Sequence, residues 1–176
     1  YIFYLCFVAH ECPVHGVCTD ALYLTAITCG GQDGQVHFWP FRDRQKSVLQ
    51  ACVERPRHTL KLPESIDRVC MQRDSGLLAV CTDDFAVHVV DCDTVRVVRR
   101  FAGHSARITD LAFSPDARWL LTASLDCLLK VWDLPAGRLV DCVRFERAPT
   151  SLSLSGEFLA TAHVNDLGVY LWSNRT

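Results

Sequence analysis

Hydrophobic and polar positions alternate in the same way in four segments of the chain, at residues 33–39, 84–90, 126–132 and 166–172. Each segment ends with a large apolar residue and begins six positions earlier with an aspartate: Asp33, Asp84, Asp126 and Asp166. Apolar side chains at every second position are typical of a strand with one buried face. Because aspartate favours tight turns, the pattern predicts four strands that are each entered through a turn.

Shorter apolar segments surround these strands and repeat with them. Segments rich in alanine and threonine predict buried second strands at 22–29, 77–82, 119–125 and 158–163. Segments that end near turn residues predict innermost strands at 14–19, 66–71, 108–113 and 149–154. Outer strands are predicted at 95–101 and 138–145, and in the first repeat at either 47–53 or 58–62. No segment has sustained helical periodicity, so the predicted fold is all-β.

The repeat length indicates how these strands are arranged. The last apolar residues of the four segments, at positions 39, 90, 132 and 172, are 51, 42 and 40 residues apart. This spacing matches one four-stranded blade of a β-propeller. The sequence therefore predicts a partial propeller with repeats at approximately 9–62, 63–101, 102–145 and 146–176. Residues 1–8 are rich in aromatic and β-branched side chains and are predicted to form an outer strand of a preceding blade.

Composition and charge narrow the classes of function. With 176 residues, of which 49% are apolar and 22% charged, the chain can bury a core and is unlike disordered or membrane proteins. Its formal net charge of −2 gives no overall attraction to nucleic acid or anionic lipid. The basic stretches at 42–46, 55–61 and 96–100 lack an aromatic platform and are predicted to be solvated outer edges. Neither a membrane nor a small-molecule partner is expected, and any contact with RNA must be local.

Cysteine and histidine positions along the chain indicate neither disulfides nor a metal site. The chain has ten cysteines but no Cys-x-x-Cys pair, and most of them lie in strand-like segments. The cysteines are therefore predicted to be reduced and buried, and the protein to be intracellular. A superficial zinc set is formed by His10, Cys12, His15 and Cys18. Zinc is not expected there, because the surrounding residues have the pattern of a strand rather than of a compact knuckle. No phosphate-binding loop, dinucleotide fingerprint or other cofactor motif occurs, so no cofactor is predicted.

At these positions the sequence resembles the WD-repeat family. Gly103-His104 precedes Trp132-Asp133 by 28 residues, which is the interval of that family. The first repeat has Ala9-His10 and Trp39-Pro40, the second ends in Val90-Asp91, and the fourth ends in Trp172-Ser173. The third repeat is therefore nearly ideal and the other three are eroded.

The residues His104, Ser124 and Asp126 are also those of a hydrolase triad. Catalysis is not expected, because the chain has no nucleophile elbow and no glycine-rich stretch for an oxyanion hole. The family resemblance instead implies a structural tetrad, in which the Trp132 indole, the Ser124 hydroxyl, the His104 imidazole and the Asp126 carboxylate form a buried hydrogen-bonded chain. We expect only the third repeat to retain this chain in full, and no catalytic, cofactor-binding or metal-binding residue is predicted.

Residues beyond the generic repeat positions resemble the Utp-twenty-one-type WD proteins of the small-subunit processome. They lie at 73–79, 83–85, 113–121, 132–135, 148–149 and 156–174. The resemblance implies a nucleolar, non-enzymatic scaffold that is needed for small-subunit rRNA processing. Its implied partners are other processome proteins, with precursor rRNA or a small nucleolar ribonucleoprotein contacted indirectly. The resemblance also implies a larger ring, of which this chain forms about four blades and remains an open arc.

An alternative function is a substrate receptor of a cullin-type ubiquitin ligase. Such receptors carry Trp-Asp followed by x-Arg. Here Trp132-Asp133 is followed by Leu134 and Pro135, and Trp39 has the later Arg42 but lacks the Asp. Neither repeat completes the motif, so the sequence favours the processome scaffold.

Overall fold

A computed structural model describes residues 9–20, 25–40 and 55–173, and in this part of the chain the regular elements are all β-strands. Sheet 1 contains β1 (Val14–Asp20), β2 (Thr25–Gly30), β3 (Gln35–Pro40) and β4 (His58–Lys61). Sheet 2 contains β5 (Ile66–Gln72), β6 (Leu77–Thr82), β7 (Val87–Asp91) and β8 (Arg96–Phe101). Sheet 3 contains β9 (Ile108–Phe113), β10 (Trp119–Ser124), β11 (Leu128–Asp133) and β12 (Arg138–Arg144). Sheet 4 contains β13 (Pro149–Leu154), β14 (Phe158–His163) and β15 (Val169–Ser173).

Every sheet is an antiparallel meander in which strands adjacent in sequence are also adjacent in space. The innermost strands β1, β5, β9 and β13 lie next to one another in that order, so the sheets are arranged side by side around them. A register shift interrupts the pairing of the first two strands in each sheet, as between Val14 and Gly16 in sheet 1. The same local geometry therefore recurs at one end of all four sheets.

The hydrophobic core lies between neighbouring sheets. Residues of sheets 1 and 2 form one buried cluster, residues of sheets 2 and 3 form a second, and residues of sheets 3 and 4 form a third. In the second cluster the rings of Phe101 and Trp132 are stacked with their centroids 5.0 Å apart. Because each sheet buries apolar side chains against the next one, no sheet has a complete core of its own.

The all-β prediction and the partial propeller are confirmed, and a strand occurs at each predicted inner, second and third position. Residues 22–24 of the second strand predicted at 22–29 lie outside the described residues. For the outer strand of the first repeat, the alternative at 58–62 matches β4, whereas 47–53 lies outside the described residues. The strand predicted at 1–8 also lies outside them and remains a prediction. No helix in the described part of the chain has the length and apolar character needed to cross a membrane.

Candidate functional site

The four predicted turn aspartates make the same hydrogen bond. One side-chain oxygen of each accepts the backbone N–H two residues later, at 2.9 Å for Asp33, 3.2 Å for Asp84, 3.0 Å for Asp126 and 3.2 Å for Asp166. This is the bond by which an aspartate side chain stabilises a tight turn. The second carboxylate oxygen contacts a histidine in the first and third repeats, an arginine in the second and a tyrosine in the fourth.

In the third repeat, four side chains form a buried hydrogen-bonded chain. Trp132 Nε1 donates to Thr122 Oγ1 at 2.9 Å, and Thr122 Oγ1 lies 2.8 Å from His104 Nε2. His104 Nδ1 lies 2.9 Å from Asp126 Oδ2, and these two side chains are only 1% and 6% exposed. This hydrogen-bonded chain connects four parts of the third repeat: the loop before β9, strand β10, the turn after β10, and strand β11.

Ser124 is not part of this chain, so its predicted role is wrong. Its hydroxyl donates to the carbonyl of Ala106 at 2.9 Å and accepts the N–H of Asp126 at 3.2 Å. Thr122 takes the place in the chain that was predicted for Ser124. Trp132 pairs with Leu120 on the neighbouring strand, and its indole reaches the residue two positions further along, which is Thr122. Ser124 lies two positions further along β10, beyond a register shift, where it braces the turn instead.

One arrangement of protons satisfies every member of the third-repeat chain. Trp132 donates to the Thr122 oxygen, the Thr122 hydroxyl donates to His104 Nε2, and His104 Nδ1–H donates to Asp126. Burial lowers the pKa of His104, against the opposing effect of Asp126. Burial acts to raise the pKa of Asp126, but hydrogen bonds from His104 and from the N–H groups of Ser105 and Leu128 lower it overall. A neutral imidazole bonded to a carboxylate is therefore the stable state at neutral pH.

The first repeat contains an equivalent chain, so the prediction that only the third repeat retains it is wrong. Trp39 Nε1 donates to Thr28 Oγ1 at 2.8 Å, and Thr28 Oγ1 lies 2.8 Å from His10 Nε2. His10 Nδ1 lies 3.0 Å from Asp33 Oδ2. The chain forms although Ala9 replaces the family glycine and Pro40 the family aspartate, because neither of those residues contributes a side-chain hydrogen bond to it.

The fourth repeat keeps part of the chain but takes its imidazole from another place. Trp172 Nε1 donates to Thr161 Oγ1 at 3.0 Å, and Thr161 Oγ1 lies 2.9 Å from Nε2 of His163, on the same strand. The other nitrogen of His163 lies 2.9 Å from the carbonyl oxygen of Arg147. Asp166 instead accepts the Tyr170 hydroxyl at 2.8 Å.

In the second repeat, apolar residues replace the chain. Val80 and Val90 occupy the positions of the threonine and the tryptophan, and both are fully buried. Asp84 accepts the hydroxyl of Thr82 at 2.6 Å and forms an ion pair with Arg100 at 2.8 Å. His88 is buried, and its Nε2 has no hydrogen-bond partner in the described part of the molecule.

Within the described residues, the polar side chains form neither a hydrolase triad nor a metal site. Ser124 bonds to backbone atoms, and the hydroxyl that does contact His104, that of Thr122, is fully buried and also accepts the Trp132 N–H. A triad needs a nucleophilic hydroxyl that a substrate can reach, and neither hydroxyl meets this requirement. In the superficial zinc set, His10 belongs to the first-repeat chain, and His15 Nδ1 lies 3.2 Å from the carbonyl oxygen of Ile66. Among residues 9–20, 25–40 and 55–173, no group of three or more His, Cys, Asp or Glu side chains is arranged to hold a metal ion.

The eight cysteines within the described ranges are free thiols. Cys29, Cys81 and Cys92 are buried as predicted, whereas Cys70 is only partly buried. Burial raises the pKa of the Cys18 thiol to about 11, with a smaller contribution from Cys70. Cys142 is exposed, contrary to the prediction, because it lies on the solvent-facing outer strand β12.

Ion pairs also connect sheets 2 and 3 at β5 and at β9 with the residue before it, a feature that the sequence did not predict. Arg107 donates to both carboxylate oxygens of Asp67 at 2.6 and 2.5 Å, and Arg68 donates to Asp110 at 3.0 Å. The other oxygen of Asp110 accepts the hydroxyl of Ser151 and the N–H of Leu152. Partners lie 40 to 42 residues apart, about one repeat length, and this spacing is the signal that could have identified them.

The fold and these hydrogen-bonded chains define the class of protein as a WD-repeat β-propeller. More particularly, the chain belongs to the WDR36/Utp21 second beta-propeller domain family, whose family model matches residues 4–176. This membership confirms the resemblance found in the sequence.

Curated relatives agree with the family model. WD repeat-containing protein 36 of Homo sapiens is 43% identical over 168 residues, which cover 94% of this chain and 18% of that protein. U3 small nucleolar RNA-associated protein 21 of Saccharomyces cerevisiae is 38% identical over 168 residues, covering 94% of this chain and 17% of that protein. The chain thus spans less than a fifth of the length of these relatives.

Among solved structures, the WD40 beta propeller domain of Doa1 is similar, with a TM-score of 0.74. The match covers 95% of this chain and 53% of that one, at 16% sequence identity. At this identity the similarity supports the fold alone.

Proposed function

We propose that this chain is part of a non-enzymatic scaffold of the nucleolar small-subunit processome, needed for small-subunit rRNA processing and ribosome biogenesis. The observation that carries the proposal is the family match over residues 4–176. It is supported by relatives whose names describe U3 small nucleolar RNA-associated proteins, in Saccharomyces cerevisiae and in Schizosaccharomyces pombe. The proposed location is therefore the nucleolus.

The geometry supports binding rather than catalysis. The polar side chains that resemble catalytic groups are engaged with one another or with the backbone, and the Ser124 side chain is fully buried. Hydrogen bonds of this kind stabilise a rigid framework, because an unpaired buried polar group costs free energy. What such a framework offers to partners is its loops, outer strands and the boundaries between its sheets.

The proposed partners are other processome proteins, with precursor rRNA or a small nucleolar ribonucleoprotein contacted indirectly. The net charge of −2 supports indirect contact with RNA. Two arginines support it as well: Arg107, just before β9, and Arg68, on β5, are already paired with Asp67 and Asp110.

The ligase-receptor alternative receives no support from the third repeat. Its motif requires an arginine two residues after the Trp-Asp pair, and Pro135 occupies that position. The carbonyl oxygen of Pro135 accepts a hydrogen bond from Arg99, so the turn has a structural use inside the molecule.

Purification of the tagged protein from cells tests the proposal. We expect processome subunits and precursor rRNA to co-purify, and we expect RNase treatment to leave the protein subunits bound. An unrelated tagged WD-repeat protein of the same compartment is the matched control. Recovery of a cullin adaptor without processome subunits would reject the proposal in favour of the ligase receptor.

A further inference from the structure

A small cavity remains at the boundary between sheets 2 and 3, and we call it the sheet 2–3 cavity. Both sheets have four strands, and every residue that lines the cavity lies within the described range 55–173. Its volume is about 230 Å³. Small-molecule sites usually have about 300–1,000 Å³, so this cavity matches a single side chain. Its apolar lining comes from sheet 2 and from sheet 3 with its turns: Leu77, Val89, Val98, Ala117, Leu134 and Pro135.

The outer strand β8 contains a bulge at Val98. Arg99 pairs with Val89, and Val97 pairs with Val90, so Val98 has no partner residue on β7. Val98 lines the cavity and is 40% exposed. The apolar surface of the cavity is therefore reachable from solvent.

Among the residues that line the cavity, all of which the structure describes, Arg99 alone is charged. Its guanidinium donates to three carbonyl oxygens, those of Leu134 and Pro135 at 2.9 Å and that of Val98 at 2.8 Å. These bonds hold the guanidinium in place and leave N–H groups that can still donate. A carbonyl group has no net charge, and no carboxylate of the described residues forms an ion pair with Arg99. The positive charge at the cavity is therefore not compensated.

A second arginine, Arg96, lies on the same face of sheet 2. It pairs with Asp91, and Arg99 pairs with Val89, two positions earlier on β7. Residues two apart on a strand share a face, and Val89 belongs to the core cluster between sheets 2 and 3, so both arginines lie on the face that meets sheet 3. Asp91 uses its oxygens within its own turn, for the N–H two residues later and for the Thr94 hydroxyl. Among the described residues Arg96 has no ion-pair partner.

The lining also includes a strained residue. Ala117 has a φ of 55°, a conformation that glycine adopts without steric cost and alanine does not. Glycine at this position would relieve the strain but would remove a methyl group from the cavity. Strained residues concentrate at sites that bind or switch. The alanine is therefore consistent with a use of the cavity beyond folding.

We propose that the sheet 2–3 cavity binds one aliphatic side chain of another protein, flanked in that protein by aspartate or glutamate. The aliphatic group fills the apolar volume, and the flanking carboxylates face Arg99 and Arg96. Because carbonyl groups already fix the Arg99 guanidinium, binding costs little of its side-chain freedom. An acidic peptide is favoured over RNA, since no aromatic residue of the described lining offers a surface for base stacking. This inference rests on the proposal that the chain is a protein-binding scaffold, and it adds the chemistry of one partner.

Fluorescence anisotropy of labelled peptides added to the intact protein tests this assignment. The probes are Gly-Asp-Glu-Leu-Glu-Asp-Gly, its counterpart with serine in place of leucine, and the basic peptide Gly-Lys-Arg-Leu-Arg-Lys-Gly. We expect the acidic leucine peptide to bind about tenfold more tightly than either of the others, because it alone offers both the apolar side chain and the carboxylates. Equal binding of all probes, or binding of none, would overturn the proposal.

Charge reversal locates the binding. Arg96→Glu should weaken the acidic leucine peptide about tenfold, because it places a carboxylate beside the cavity. The matched control is Arg144→Glu, at an exposed arginine that ends β12, does not line the cavity and has no ion-pair partner among the described residues. Equal weakening by the two variants would show that only the overall charge matters and would overturn the assignment.

Ala117→Gly separates binding from folding. The substitution relieves the strained φ, so the unfolding midpoint should not fall. It also removes a methyl group from the lining, so the acidic leucine peptide should bind about threefold more weakly. Unchanged affinity of this variant would contradict the placement of the leucine side chain in the cavity and would overturn the proposal.

Two competing occupants are distinguished in the same assay. An oligouridine RNA that binds more tightly than the acidic leucine peptide, and that is also weakened by Arg96→Glu, would assign the cavity to RNA. If the peptide binds only after residues 41–54, outside the described residues, are replaced by a Gly-Ser linker, that segment of the chain occupies the cavity. Either result overturns the proposal. Co-purification with the processome is measured separately, so failure of the peptide experiment alone removes the cavity assignment and leaves the proposed function standing.

Discussion

Thr122 connects two buried groups of the third-repeat chain, the Trp132 indole N–H and His104 Nε2. Neither of these two atoms has another partner in that chain. The Thr122 oxygen accepts the Trp132 N–H, and its hydroxyl faces His104 Nε2. Thr122→Val keeps the shape of the side chain but leaves both groups unpaired, so we expect a loss of about 1–3 kcal/mol in the free energy of unfolding. Denaturant titration measures it. The control is Thr150→Val on the exposed face of β13, which should change little; equal losses for the two variants would contradict the assignment.

Asp126 and Asp84 offer a matched comparison, because both accept the N–H two residues later in their turns. They differ in the other oxygen, which contacts buried His104 in one case and the half-exposed Arg100 in the other. Asp126→Ala should therefore cost about 1–2 kcal/mol more than Asp84→Ala, since His104 cannot turn to water. Coincident unfolding midpoints of the two variants would refute this difference.

Stability should fall as the solution becomes mildly acidic. Burial lowers the pKa of His37, His88 and His104 below the ordinary 6.5, in each case as the largest effect. Below about pH 6.5 the unfolded chain binds protons at these sites more readily than the folded chain, so the folded form loses stability. Unfolding midpoints at pH values from about 7.5 to about 5.5 measure the loss. His88→Leu, which removes a buried imidazole, should flatten this dependence, and a midpoint independent of pH would contradict the account.

At the scale of the elements, the turns before the third strands contain a strained position. The residue after the aspartate has a positive φ in three repeats, with 64° at Gly34, 62° at Phe85 and 65° at Cys127. Glycine adopts this conformation without steric cost, whereas other residues do not. Cys127→Gly should therefore stabilise the protein by about 0.5–1 kcal/mol. The control Leu125→Gly, on an exposed residue of the same turn outside the positive-φ set, should destabilise it; stabilisation by both or by neither would contradict the explanation.

Most strands could be predicted because alternation and turn residues are local signals. The hydrogen-bonded chains could be predicted only in part, because they depend on which side chain of the second strand the indole of the third strand can reach. Thr122 and Ser124 are two positions apart on β10, and the alternation alone does not distinguish them. The distinguishing signal is a threonine 10 or 11 residues before tryptophan in three repeats, at Thr28, Thr122 and Thr161.

The first-repeat chain was missed for a different reason. The prediction depended on the Gly-His and Trp-Asp pairs, but the hydrogen-bonded chain needs only an imidazole, a hydroxyl, an indole and a carboxylate within hydrogen-bond distance. In the second repeat the threonine and tryptophan positions are both valine, Val80 and Val90. Replacing both partners by apolar residues avoids an unpaired polar group, which explains how a repeat without the chain remains packed.

At the scale of the whole molecule, neighbouring sheets share apolar clusters, and sheets 2 and 3 are also joined by ion pairs beside their innermost strands. Stability in such arrays comes from each unit and from its contacts with the next one. The boundary between sheets 2 and 3 carries a further contact, since Arg99 donates hydrogen bonds to the carbonyls of Leu134 and Pro135. Packing and hydrogen bonds between neighbouring sheets thus support one rigid framework.

The central claim is that this framework serves small-subunit rRNA maturation, and depletion of the protein in cells tests it most directly. The measurement is the ratio of unprocessed precursor rRNA to mature small-subunit rRNA, by hybridisation, with large-subunit rRNA as the internal control. We expect precursor to accumulate and small-subunit rRNA to fall selectively, and we expect re-expression of the protein to restore the ratio. A normal ratio after complete depletion would contradict the claim.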